Sequence, residues 1–159
     1  MVPDRVTDAV LQASRAMVAV VARSLARGED DVTMVQFRAL VVLRAAPGAN
    51  LGHLADSLGV TPSSVTRMCD RLVDRGLVRR EPAPGNRREV QLTLTAPGRQ
   101  LVDRATRARR RDLQRVLAAM PAAERDRLVP ALEAFTEAIA TTLGVAWPGA
   151  DVLGGELEA

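Results

Sequence analysis

The residues best suited to chemistry crowd into one stretch of the chain. Thr61, Pro62, Ser63, Ser64, Thr66, Arg67 and Arg71 lie within residues 61–71. At helical spacing the apolar Val65, Met68, Cys69, Leu72 and Val73 take one face. Ser63, Ser64, Thr66, Arg67, Asp70, Arg71, Asp74 and Arg75 take the other. Hydroxyl and guanidinium groups on one exposed helix face suit the donors and acceptors of nucleic-acid bases and phosphates. An arginine matches guanine bidentately, worth about 1–3 kcal/mol of discrimination. A helix N-terminus adds an attraction for an anion.

The charge distribution agrees. All 22 basic residues are arginine, and the formal net charge is only +3. Residues 1–60 carry six arginines and six acids, residues 61–119 fourteen against six, and residues 120–159 two against seven. A strongly basic middle third in a near-balanced chain points to a polyanion partner. Other chemistry is sparse. One cysteine, Cys69, cannot form an internal disulfide and fits a reducing compartment. With His53 the sole histidine, there is no metal-ligand cluster and no Ser-His-acid set. No Gly-rich phosphate loop joins a strand to a helix. An enzyme, a metal and a cofactor are therefore not expected. No apolar run reaches membrane-spanning length. The opening MVPDRVTDAV carries Asp4 and Asp8 and lacks the apolar core of a signal peptide, so a cytoplasmic protein is expected.

The elements that must position these groups are legible from periodicity and caps. Val6, Val10, Met17, Val21 and Leu25 mark a first helix over 4–26, broken by Gly28, Glu29, Asp30 and Asp31. Thr33 caps a second, almost wholly apolar helix ended by Pro47 and Gly48. Residues 50–58 form a short helix closed by Gly59. Thr61 then caps a helix that runs to about Arg75, with Pro62 where a missing N–H costs nothing. Leu77 to Glu81 reads as a strand, residues 82–86 as a turn-rich tip, and alternating Val90, Leu92 and Leu94 as a return strand. Thr95 caps a long helix from Ala96 to about Met120. After Pro121 a last helix carries Leu128, Leu132, Phe135, Ile139 and Leu143 on one stripe. The tail from Gly144, which includes Trp147, shows little periodicity.

Two helices joined by a Gly-containing turn, the second polar on its outer side, are a helix-turn-helix, and the basic hairpin after it is a wing. The second helix of such a pair enters the DNA major groove. Three runs carry a closer resemblance. They are Leu54-Ala55-Asp56-Ser57-Leu58-Gly59-Val60, then Ser64-Val65-Thr66-Arg67, then 70–78 (Asp-Arg-Leu-Val-Asp-Arg-Gly-Leu-Val). Asn86-Arg87-Arg88 and Leu94-Thr95-Ala96-Pro97-Gly98 complete the series. In this order they resemble the MarR family (multiple antibiotic resistance regulator) of transcription factors.

The resemblance implies a mainly α fold with a small β-hairpin wing: a winged helix-turn-helix with a helical dimerisation domain drawn from both termini. The implied division is 1–32 dimerisation helix, 33–98 DNA-binding domain, 99–143 dimerisation helices and 144–159 tail. It implies a homodimeric repressor on a pseudo-palindromic duplex DNA site, released by a small apolar or phenolic effector. Val6, Val10, Leu128, Leu132, Phe135 and Ile139 would form the dimer interface. Asn86, Arg87 and Arg88 would form the wing contact. Arg88 matches the family's minor-groove arginine, and Asn86 stands where the family has aspartate. Arg15, Met17, Val21, Phe37, Leu40, His53 and Met68 are the effector-pocket candidates. Two alternatives stand beside this reading: a winged-helix protein-interaction module that no longer reads DNA, and a thiol-redox regulator working through Cys69. Arg107, Arg109, Arg110, Arg111 and Arg115 would be solvated, or would face DNA or the acids of a partner.

Overall fold

A computed structural model describes residues 3–26, 32–83 and 86–144, apart from the side chains of residues 26 and 86–88. Its elements run α1 (Asp4–Ala26), α2 (Met34–Ala45), α3 (Leu51–Leu58), α4 (Pro62–Asp74), β1 (Val78–Ala83), β2 (Asn86–Leu94), α5 (Ala96–Ala118) and α6 (Ala122–Leu143).

Local caps set most of these boundaries. Thr33 and Gln36 form a reciprocal capping box, with the Gln36 N–H donating to Thr33 Oγ1 at 3.3 Å and the Thr33 N–H to Gln36 Oε1 at 2.9 Å. Asn50 Oδ1 accepts from the His53 N–H at 2.8 Å, so Asn50 is the cap of α3, one residue outside the helix expected to start there. Gly59 closes α3 at φ 66, a left-handed conformation that favours glycine. Thr95 Oγ1 accepts from the Gly98 N–H at 3.1 Å and donates to the Gly76 carbonyl at 2.6 Å. One hydroxyl therefore starts α5 and ties it to the end of α4.

Helix α2 is apolar on most sides, so it must be surrounded. It lies at the centre of the core, with Phe37, Leu40 and Leu43 packed among Leu54, Leu58, Val65, Leu72, Val78, Leu92, Leu101 and Val102. Strands β1 and β2 form an antiparallel ribbon from Val78↔Leu94 to Pro82↔Val90, and the register then shifts to Ala83↔Asn86. Pro82 and Ala83, expected in the tip, are thus strand residues. A two-stranded ribbon has open edges, which tolerate a proline without an N–H. Val90, which alternates with Leu92 and Leu94 on the return strand, is 40% exposed because the ribbon has left the core by that point. The sheet also has a third, single-residue arm that periodicity does not signal. Ala49 bridges Leu92, through Gly48 N–H to Leu92 O at 3.1 Å and Leu92 N–H to Ala49 O at 2.9 Å.

The expected boundary at residue 98 falls inside α5. The first half of that helix, with Leu101, Val102 and Ala105, belongs to the same core as α2–α4. Its second half packs along α1, where buried Asp112 meets Arg23 at 3.8 Å and Arg115 at 3.4 Å. Helix α6 buries none of its residues within the chain.

Candidate nucleic-acid interface

Helix α4 divides into the two faces expected of it. Val65, Cys69 and Leu72 are buried and Met68 and Val73 half-buried, while Ser63, Thr66, Arg67 and Arg71 are exposed. The helix begins in a small hydroxyl network: Thr61 Oγ1 donates to Ser64 Oγ at 2.9 Å and shares a 3.2 Å bond with Ser63 Oγ. Thr66 Oγ1 donates to the Pro62 carbonyl at 2.9 Å. The Thr66 proton is thus used within the helix, and its oxygen presents lone pairs that suit the amino groups on base edges. Ser64 is half-buried and turns partly toward α2. Among the described residues neither Arg67 nor Arg71 has an ion-pair partner, so both guanidinium groups are available to an incoming anion.

At helical spacing Arg71 and Arg75 are candidates for phosphate contacts or for ion pairs with Asp74 or Asp70. Asp70 instead takes Arg80 of β1, with Oδ1 to Nη1 at 2.7 Å. Spacing along one helix cannot reveal that competitor, because β1 is brought alongside α4 only by the core. Two further contacts fix the base of the hairpin. Asn50 Nδ2 donates to Glu89 Oε1 at 3.0 Å, joining the α3 cap to β2. Arg79 Nε donates to Thr93 Oγ1 at 3.0 Å and lies 3.2 Å from Glu81 Oε1. The side chains of the expected wing residues Asn86, Arg87 and Arg88 lie outside the described residues, as do Pro84, Gly85 and Trp147. Their backbone places residues 86–88 at the distal end of β2.

The effector-pocket candidates are not brought together. Phe37 and Leu40 are core residues, 3% and 0% exposed. Arg15 and Met17 are exposed on α1, and Val21 is half-buried there. Met68 lines an open cavity of about 490 Å³ with Thr33, Gln36, Ser64, Arg67 and Arg71. His53 lines a different one, of about 410 Å³, with Arg38, Asp56, Ser57 and Gly144. The arginines of α5 also separate. Arg107, Arg110 and Arg111 are exposed, Arg115 pairs with Asp112, and Arg109 turns inward with its guanidinium 5.4 Å from the centre of the Phe37 ring. Burial pushes the Arg109 pKa below its ordinary value. Among the described residues its Nε is buried without a hydrogen-bond partner, and the guanidinium lies over the aromatic ring.

Cys69 is 0% exposed. Burial pushes its thiol from 9.0 up to about 11, with Arg80 opposing and Asp70 adding to that rise. A buried, protonated thiol is a small hydrophobe rather than a nucleophile. The folded protein should therefore react with a thiol reagent at neutral pH only at its unfolding rate. Because the folded state favours the neutral form, the contribution of Cys69 to stability is complete below 9.0 and is lost as pH rises through about 11. The Cys69→Ala variant should lack that alkaline component in a pH series of melting temperatures.

These features are shared with known proteins. Residues 32–90 match the family model described as the MarR family. The chain belongs to the MarR family. Over 75 residues it is 37% identical to the HTH-type transcriptional regulator YhbI of Bacillus subtilis, a match covering 47% of this chain and about half, 49%, of that protein. It superimposes on the crystal structure of RV1404 from Mycobacterium tuberculosis with a TM-score of 0.81 and 46% identity, covering 87% of this chain and 94% of the other. FabT of Streptococcus pneumoniae, solved in complex with DNA, has the same fold at a TM-score of 0.76 and 19% identity, covering 87% and 97%. This MarR-family protein is a transcriptional regulator with a winged helix-turn-helix fold.

Proposed function

We propose that this regulator is a cytoplasmic homodimeric repressor that reads duplex DNA, with α4 in the major groove and the β1–β2 wing beside it. The observation that carries this reading is the outer face of α4, where Thr66, Arg67 and Arg71 stand exposed and the two arginines have no anionic partner among the described residues. The FabT complex with DNA supports it at the level of the fold. Helix α6 supports a dimer: Leu132 and Phe135 are 56% and 43% exposed, and Leu128 and Ile139 half-buried, on a helix that buries nothing in its own chain. Val6 and Val10 of α1 are exposed in the same way. Two copies would read half-sites about 34–36 Å apart, one turn of DNA. The functional division is then a reading head reaching into the first half of α5, and a dimer arm made of α1, α6 and the rest of α5.

We assign release by a small effector to the cavity beside Arg67, Met68 and Arg71. A ligand there would engage the arginines that DNA needs. It would release DNA to the extent that it binds the DNA-incompetent state more tightly.

Fluorescence anisotropy tests the docking face, using DNA adjacent to the protein's own gene and a random duplex at two salt concentrations. Arg67→Ala should weaken binding to the cognate site by about 10- to 100-fold, the equivalent of one bidentate arginine–guanine pair, and change random binding far less. Arg88→Ala should weaken both and make the log–log salt slope shallower by about 0.9 for each phosphate no longer neutralised. If neither substitution changes affinity at moderate salt, α4 and the wing are not the docking face.

A further inference from the structure

The Asp70–Arg80 pair lies where the recognition helix and the wing diverge. In the ribbon register Arg80 stands opposite Leu92, which is 0% exposed, and so projects from the face that Val78, Leu92 and Leu94 bury. An arginine stands where the alternation calls for an apolar residue, at the step where the hairpin leaves the core. Asp70 lies one turn beyond Thr66 and Arg67 on the outer side of α4. The two side chains meet at 2.7 Å, with Arg80 33% and Asp70 48% exposed.

Asp70 is also the wrong charge for its position. A free carboxylate beside Arg67 would repel phosphate. Paired with Arg80 it is neutralised, and it engages one Nη of a group with five N–H donors. That contact ties the guanidinium to α4 where the wing begins, with the Arg80 side chain 33% exposed. A guanidinium fixed in this way matches phosphate geometry without first losing side-chain freedom.

We propose that Arg80 is a further phosphate-contacting residue of the DNA interface and that Asp70 is the positioning residue that aims it into the notch between α4 and the wing. The inference rests on the DNA-binding reading above. It makes two opposed expectations for Asp70→Asn. Simple electrostatics says that removing a negative charge from a DNA-facing surface tightens binding. Positioning says that binding weakens, because Arg80 is released.

The test uses full-length protein, a duplex selected from a random library by the wild type, and an unselected random duplex. Asp70→Asn should weaken binding to both, by about 3- to 10-fold, the scale of one charge-assisted hydrogen bond discounted for exposure. Arg80→Gln should make the salt slope shallower by about 0.9 per protomer on both duplexes. Arg80→Lys should keep the slope and lose part of the affinity. The Asp70→Asn/Arg80→Gln double variant should bind like Arg80→Gln alone, since Asp70 acts through Arg80. Melting temperatures measured alongside separate loss of fold from loss of aim. Asp70→Asn binding as tightly as wild type or more so, or Arg80→Gln keeping the full slope, overturns the proposal while the DNA reading stands. Asp70→Asn and Arg80→Gln weakening binding only in proportion to a fall in melting temperature also overturns it. A wild type that selects no duplex over random DNA sinks the DNA reading itself, and this assignment with it.

Discussion

Phe135→Asp should convert the regulator into a monomer and lower its affinity for a two-half-site duplex by about a hundredfold or more. Phe135 is 43% exposed and Leu132, one turn before it, 56% exposed, on a helix with no buried residue. An isolated amphipathic helix of this kind is marginal in water, so its apolar stripe needs a covering surface. Covering a phenylalanine side chain is worth about 1.5–3 kcal/mol, and two-fold symmetry counts every interface substitution twice. An aspartate at that position loses this term and adds the cost of a carboxylate without a partner. On the dimeric reading proposed above, separating the subunits would divide one two-site binding event into two weak ones, which is the source of the expected fall in affinity. Light scattering after size exclusion gives the mass, and anisotropy gives the binding. A variant that remains dimeric at micromolar concentration with unchanged affinity would mean that α6 is not the dimer arm.

Gly98→Ala should destabilise the fold by about 3 kcal/mol, at the severe end of overpacking, and lower the melting temperature by roughly 6–12 °C. The sign is opposite to what helix propensity gives, since alanine is better than glycine in a helix by about 1 kcal/mol. The reason is contact rather than conformation. Gly98 lies in the first turn of α5, where a Cβ would run into the Leu77 carbonyl oxygen and carbon. Those are backbone atoms at the start of the hairpin and cannot swing aside as a side chain can. The same carbonyl accepts the Thr95 N–H at 3.1 Å, so pushing it away also strains the cap of α5. A melting temperature equal to or above wild type would show that α5 and Leu77 separate at little cost.

Much of this architecture is legible in the order of residues alone. Thr33, Thr61 and Thr95 are the residue types that cap helices, and each accepts the backbone N–H expected of it. Gly59 takes the left-handed conformation expected at the end of α3. The stripe of Val65, Cys69 and Leu72 is buried and the opposite face of α4 open. These features are set within a few residues of chain, by 3.6-residue periodicity and by side chains that bond their own backbone, so local sequence is enough to determine them.

The tertiary structure alone decided what meets across elements. It gave Asp70 to Arg80 rather than to a neighbour on α4, turned Arg109 onto Phe37, and bridged Ala49 to Leu92. It put Met68 and His53 on separate cavities and made Gly98 a point of backbone contact. Each of these depends on the distance between segments far apart in the chain. That distance is a property of how the whole core packs, and no local pattern of residue types carries it.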